Sequence, residues 1–168
     1  MDKFKELFDP LVPGDFAEFG VYNGNGAREL ASLDPSRTCW AFDTFEGMPQ
    51  EDYSGDEDSS DPPGKWKPSA EPEALFHGIP NITAIKGRFV DTLGLVNDEV
   101  HFSLVHVDCD WYWSHRQVLE FLESHLNHGA KIVFDDWTLA GAKRAIQEWR
   151  DRVGPKVKGE GEVLVWVG

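Results

Sequence analysis

The sequence predicts an α/β fold built on a mostly parallel sheet. Six short runs rich in Val, Ile and Phe recur along the 168 residues. Several are near-continuous rather than alternating, as strands covered on both faces require. Amphipathic helical segments lie between them. Strand, helix and strand in repetition give right-handed crossovers and parallel neighbours. The closing stretch "KVKGEGEVLVWVG" instead reads as a hairpin turning at Gly159 or Gly161, which adds an antiparallel strand. The length fits one domain, residues 1–168.

In chain order, the first strand is read in "DFAEFGV" (15–21) and the first clear helix in "NGARELASL" (25–33). The second strand is "TCWAFDTF" (38–45). Residues 49–74, "PQEDYSGDEDSSDPPGKWKPSAEPEA", carry six acids between Glu51 and Asp61, with Pro and Gly throughout. Such a segment cannot form a packed element by itself, and it is read as a solvated loop or a lid over a site. "NITAIKG" (81–87) and "FSLVHVD" (102–108) are the third and fourth strands. In the helix "SHRQVLEFLESHL" (114–126), Val118, Leu119, Leu122 and Leu126 recur at helical spacing. "AKIVFDD" (130–136), the helix "GAKRAIQEWRDRV" (141–153) and "EVLVWVG" (162–168) complete the series.

The net charge of −14 repels a phosphate backbone and an anionic membrane surface, so neither nucleic acid nor membrane is expected as a partner. Two cysteines, Cys39 and Cys109, are too few for a disulfide framework and read as buried thiols. No apolar run reaches the ~18 residues of a membrane span, and the start lacks a signal-like apolar region. A cytoplasmic protein is expected.

Ligands of open α/β sheets bind beyond the carboxyl ends of the strands. After strand one comes "EFGVYNGNG", with Glu18, Gly20, Gly24 and Gly26. Glycines there allow a tight turn and close approach to a ligand. The spacing is not the dinucleotide fingerprint. Asp43 ends strand two, about 20 residues on, where an acid can hold the hydroxyls of a ribose; an N-cap or loop ion pair is the plainer reading. Glu18 lies within the strand, where it can accept hydrogen bonds from a ligand amine or a backbone amide.

Asp108 ends strand four, Asp110 follows, and Asp135 and Asp136 end strand five. Helix capping by Asp110 and Asp136 accounts for one acid per loop but not for doubled acids at two strand ends. Crowded carboxylates call for a cation or a proton. All-oxygen ligands select a hard ion: Mg2+, Mn2+ or Ca2+.

The ordered motifs "GDFAEFGVYNGNGA", "AFDTFEGMP", "IKGRFVDTL", "HVDCDWYWS" and "IVFDDW" resemble those of the TylF-type macrocin O-methyltransferases. The resemblance runs from about Gly14 to Trp137. It implies a Rossmann-like class I methyltransferase sandwich, with a seven-stranded, mostly parallel sheet and an antiparallel last strand. It implies S-adenosylmethionine and a divalent metal. The loop from Glu18 through Gly20, Val21, Tyr22 and Gly24 to Gly26 would hold the methionine part of the cofactor. Asp43, with Thr44 and Phe45, would take the ribose. Gly87, Arg88 and Phe89 would lie near the adenine or close the pocket. Asp108 would border the cofactor and, with Asp135 and Asp136, bind Mg2+. The metal would chelate a diol acceptor such as a sugar. Asp108, Asp110 or His115 would be the general base.

Two departures from the family stand out. Only about 14 residues precede the first motif, where the family carries a helical segment. Trp113 replaces a family Glu, so "DWYW" offers aromatic surface, for stacking a sugar or for core packing. Both count against macrocin itself as the acceptor. A Mg-dependent hydrolase or phosphotransferase and a non-catalytic S-adenosylmethionine-binding module stay open, as does homo-oligomerisation.

Overall fold

The computed structural model describes residues 3–50 and 61–168. Its strands are β1 (Asp15–Phe19), β2 (Cys39–Asp43), β3 (Ile82–Lys86), β4 (Phe102–Val107), β5 (Leu126–Phe134), β6 (Val157–Lys158) and β7 (Val163–Trp166). They form one sheet in the order β3-β2-β1-β4-β5-β7-β6. The five strands from β3 to β5 run parallel, and β7 runs antiparallel to both β5 and β6. All six strand runs read in the sequence are strands, and the terminal hairpin forms with Gly159 and Gly161 at positive φ.

The helices are α1 (Lys3–Leu7), α2 (Asn25–Leu33), α3 (Pro72–Leu75), α4 (Phe89–Thr92), α5 (Tyr112–Leu122) and α6 (Ala140–Val153). Because successive strand residues point to opposite faces, the sheet buries two cores. Phe19, Phe42, Val105 and Val107 pack with Leu119 and Leu122 of α5 and Ile146 and Trp149 of α6. Phe16, Ala41 and Leu104 pack on the other face with Phe4 of α1 and Leu30 and Ala31 of α2. Truncating a fully buried leucine such as Leu122 costs about 2–5 kcal/mol.

One boundary differs from expectation. The helical spacing extends to Leu126, yet α5 stops at Leu122 and Leu126 opens β5. The His125 amide donates to the Leu122 carbonyl at 3.0 Å, and its ring stacks on Phe121 at 3.9 Å. Leu126 is then free to pair with Phe102.

The ladder continues one residue past the strand ends. The Gly20, Asp108 and Asp135 amides donate to the carbonyls of Phe42, Phe19 and Val107 at 3.0, 2.8 and 3.0 Å. The glycine loop and two of the acids are thereby brought level along one edge of the sheet. Residues 51–60, the most acidic part of the loop-or-lid segment, lie outside the described residues. Among the described residues no helix is long and apolar enough to cross a membrane.

Candidate active site

Strand order reverses between β1 and β4, and there the carboxyl ends of four strands surround a cavity of about 350 Å3. One part of its wall is Gly20, Val21 and Tyr22 from the loop after β1, with Asp43 and Thr44 after β2. Gly20 sits against the end of β4, where a Cβ would lie 1.7 Å from the Asp108 carbonyl oxygen. No other residue fits that approach. Asp43 holds the loop in shape. Its Oδ2 accepts from the Val21 and Tyr22 amides at 2.6 and 2.9 Å, and its Oδ1 from the Phe45 amide at 2.7 Å. The Thr44 hydroxyl lies 3.4 Å from Oδ1 but only 2.6 Å from the Gly47 carbonyl oxygen, to which its single proton goes, so Oδ1 keeps capacity for a hydroxyl donor.

The other part of the wall is acidic: Asp108, Asp110, Asp135 and Asp136. Burial, and then the charge of Asp136, push Asp108 up to about 7. Burial, Asp136 and Asp108 push Asp110 up to about 8. Burial lifts Asp136 to about 6, although its Oδ2 accepts the Asp110 amide at 2.7 Å. Asp110 itself adopts positive φ (56°), which this bond secures. Cys109 also faces the cavity, and burial holds its thiol neutral.

Asp135 differs from its neighbours. Its Oδ1 lies 3.6 Å from Lys3 Nζ and 3.8 Å from His106 Nε2, and His106 holds its carboxyl below the usual range. Burial alone would depress His106, but Asp135 and then Glu18 outweigh it and raise the imidazole to about 9. Glu18 Oε1 accepts from His106 Nδ1 at 2.9 Å, deep between β1 and β4.

These contacts sort the residues read from the sequence. Gly20, Val21, Tyr22, Asp43, Thr44, Phe89, Asp108, Asp110, Asp135 and Asp136 meet at the cavity. The remainder lie off it. Glu18 is 2% exposed and faces His106 under the start of α2. Gly26 makes room for it, since a Cβ there would lie 1.9 Å from Glu18 Oε1. Gly24 packs against Phe76, and Phe45 is buried in the same core. Gly87 and Arg88 line an adjoining groove with Thr44 and Met48. His115 is fully buried, with Nδ1 3.1 Å from the Trp111 carbonyl oxygen, and burial lowers it to about 4. Of the "DWYW" aromatics, Trp111 is core, and Trp113 lies on the surface beside the Arg116 guanidinium. Met48, Trp66 and Ser114 also line the cavity. Met48 falls within a motif already singled out, but nothing in the spacing marks Trp66.

The glycine-lined bend beside Asp43 fits the methionine and ribose parts of a nucleoside donor. The acids supply oxygen ligands suited to a hard cation. Among the described residues, however, no three His, Cys, Asp or Glu side chains converge as a preformed ion site.

Residues 2–158 match the family described as macrocin-O-methyltransferase (TylF). The chain is 25% identical over 169 aligned positions to an 8-demethyl-8-(2,3-dimethoxy-α-L-rhamnosyl)-tetracenomycin-C 4'-O-methyltransferase of Streptomyces olivaceus. It is 28% identical over 165 positions to the mycinamicin III 3''-O-methyltransferase of Micromonospora griseorubida. Each match covers 85% of this chain, which spans 60% and 63% of those relatives. The solved calicheamicin methyltransferase CalS11 shares the fold with a TM-score of 0.78 at 23% identity, over 98% of this chain and 76% of that one. The parallel sheet with its antiparallel last strand, the glycine bend at the switch point and the five ordered motifs agree with that match: the chain belongs to the TylF macrocin O-methyltransferase family.

Proposed function

We propose that this chain transfers a methyl group from S-adenosylmethionine to a hydroxyl of a small sugar-bearing acceptor. The observation that carries the reading is one cavity bounded both by the Gly20–Tyr22 bend with Asp43 and by the Asp108–Asp110–Asp136 cluster. Donor and acceptor subsites would then share a wall. The names of the two sugar O-methyltransferase relatives support a sugar as acceptor class.

When bound, S-adenosylmethionine supplies an electrophilic methyl group on a sulfonium. The chain's own part is to orient and to remove a proton. The bend from Gly20 to Tyr22 would receive the methionine portion, and Asp43 Oδ1 would accept a ribose hydroxyl. The acceptor hydroxyl points at Asp108 or Asp110. Raised to about 7 and 8, either carboxyl could take up the hydroxyl proton near neutral pH as the O–C bond to the methyl forms and the C–S bond breaks, the thioether S-adenosylhomocysteine leaving. His115 has no exposed surface from which to do so. Most of the rate gain comes from holding the two reactants in line.

Asp108, Asp135 and Asp136 would hold a hard divalent cation such as Mg2+, which would lower the pKa of a bound hydroxyl. Lys3 and His106 already contest Asp135, so the protein residues alone neutralise part of the cluster. We propose a cytoplasmic location, with which the two free, buried thiols are compatible.

Calorimetry with S-adenosylhomocysteine, followed by labelled-methyl transfer to methyl α-L-rhamnopyranoside across pH, tests the reading. The expected outcome is cofactor binding and a transfer rate that climbs between about pH 6 and 8, as Asp108 and Asp110 ionise. A folded protein that does not bind S-adenosylhomocysteine would defeat it.

A further inference from the structure

We propose that Tyr22 and Trp66 form an aromatic wall that receives the C–H face of the acceptor's sugar ring, an inference that rests on the sugar reading above. Both residues line the cavity that carries Asp108, Asp110 and Asp136. They meet edge to face, with centroids 5.4 Å apart at 76°. They are 41% and 43% exposed, unusual for aromatic residues in contact with each other.

The exposure is held in place. Tyr22 and Trp66 both have left-handed backbones, at φ 49° and 60°. Bulky residues adopt that conformation only where their surroundings fix it. The Tyr22 amide is tied to Asp43 Oδ2 at 2.9 Å. Trp66 is tied from three directions. Its Nε1 donates to Asp61 Oδ2 at 2.6 Å, and the same carboxylate pairs with Lys65. Lys65 Nζ also lies 4.7 Å from the Trp66 ring centroid. The backbone before it is clamped to the loop after β2, as the Met48 amide donates to the Lys65 carbonyl at 2.9 Å and the Gly64 amide to the Met48 carbonyl at 2.8 Å.

A pyranose has apolar C–H faces and a rim of hydroxyls. The cavity offers the complement, with aromatic surface for a face and carboxylate oxygens for the rim. A flat catechol would use the aromatic surface as well. A linear polar acceptor would not need it. The "DWYW" aromatics cannot serve, because Trp111 and Tyr112 are buried and Trp113 does not line the cavity.

Saturation-transfer NMR and calorimetry with methyl α-L-rhamnopyranoside, on the protein saturated with S-adenosylhomocysteine, test the wall. Trp66→Ala should weaken sugar binding by about fivefold, while Trp66→Phe keeps it within about twofold, because a ring face remains. S-adenosylhomocysteine affinity should stay unchanged in both. If the alanine variant unfolds, Trp66→Leu keeps the bulk without the ring face and should lose the sugar equally. Wild-type sugar affinity in a folded Ala or Leu variant overturns the wall and leaves the sugar reading standing. A fall in S-adenosylhomocysteine affinity also overturns it, since Trp66 would then serve the donor. A wild-type protein that binds S-adenosylhomocysteine but not the rhamnoside removes the sugar reading and the wall together.

Discussion

Asp43 at the tip of β2 and Asp108 just beyond β4 face one cavity, but their surroundings differ. Asp43 accepts three backbone amides, from Val21, Tyr22 and Phe45. Asp108 is partly buried, with Asp136, Asp135 and Glu18 around it and only His106 opposing them, and its carboxyl rises to about 7. Backbone N–H groups are fixed partial positive charges, so the first aspartate is tied into the loop it shapes. The second has like charges around it and can exchange a proton at physiological pH. On one sheet edge, the same side chain is fastened by main chain at one strand end and left open to titration at another.

The greatest loss is expected at Asp108. Asp108→Asn should cut methyl transfer by about 100-fold or more, the usual weight of a positioned base, while S-adenosylhomocysteine binding stays within about twofold. A labelled-methyl assay beside calorimetry reads both. Equal losses in the two would make Asp108 a second fastener and erase the distinction.

Next comes the fastener. Asp43→Ala should weaken S-adenosylhomocysteine by about 1–3 kcal/mol. It should also speed hydrogen exchange at the Val21, Tyr22 and Phe45 amides, whose acceptor it removes. Unchanged affinity would remove Asp43 from the donor site, whatever the exchange rates show.

A weaker response is expected in the dependence of stability on pH. Asp108, Asp110 and Asp136 have folded pKa values raised above the ordinary carboxylate value. Their stabilising contribution is full below the unfolded value near 4, and is lost as pH rises through about 6 to 8. His106, raised to about 9, adds in the same direction, its share fading as pH climbs through that value. Melting in EDTA should therefore fall on the order of 5 °C between pH 6 and pH 9, and Asp110→Asn should flatten the decline. Mg2+ should restore a few degrees at pH 8.5 and almost none at pH 5.5, where protons occupy the cluster. A melting temperature indifferent to Mg2+ at every pH would count against a metal at these acids.

The parallel strands were legible because both-face burial leaves near-continuous apolar runs, and the acids because each follows such a run directly. The direction of a side chain inside a strand was not. Glu18 reads as a cavity residue, yet it faces His106, 88 positions away in the chain. When both faces of a strand are buried, alternation no longer tells which way a lone acid points. The helical spacing overruns the end of α5, because Leu126 continues a repeat that the His125 turn interrupts. Trp66 was hidden because its position depends on hydrogen bonds between residues 48, 64 and 65, across a segment with no periodicity of its own.

The contact between Gly20 and the Asp108 carbonyl has a practical consequence for redesign. The two halves of the site meet through main chain, so neither can be shifted without the other. Grafting a foreign loop after β1, or lengthening the turn at Asp108, would break the joint before it altered specificity. The stretch from Asp61 to Trp66 reaches the same cavity through side chains and a two-bond clamp to Met48. Libraries aimed at new acceptors belong there, with Gly20 and the strand tips left untouched.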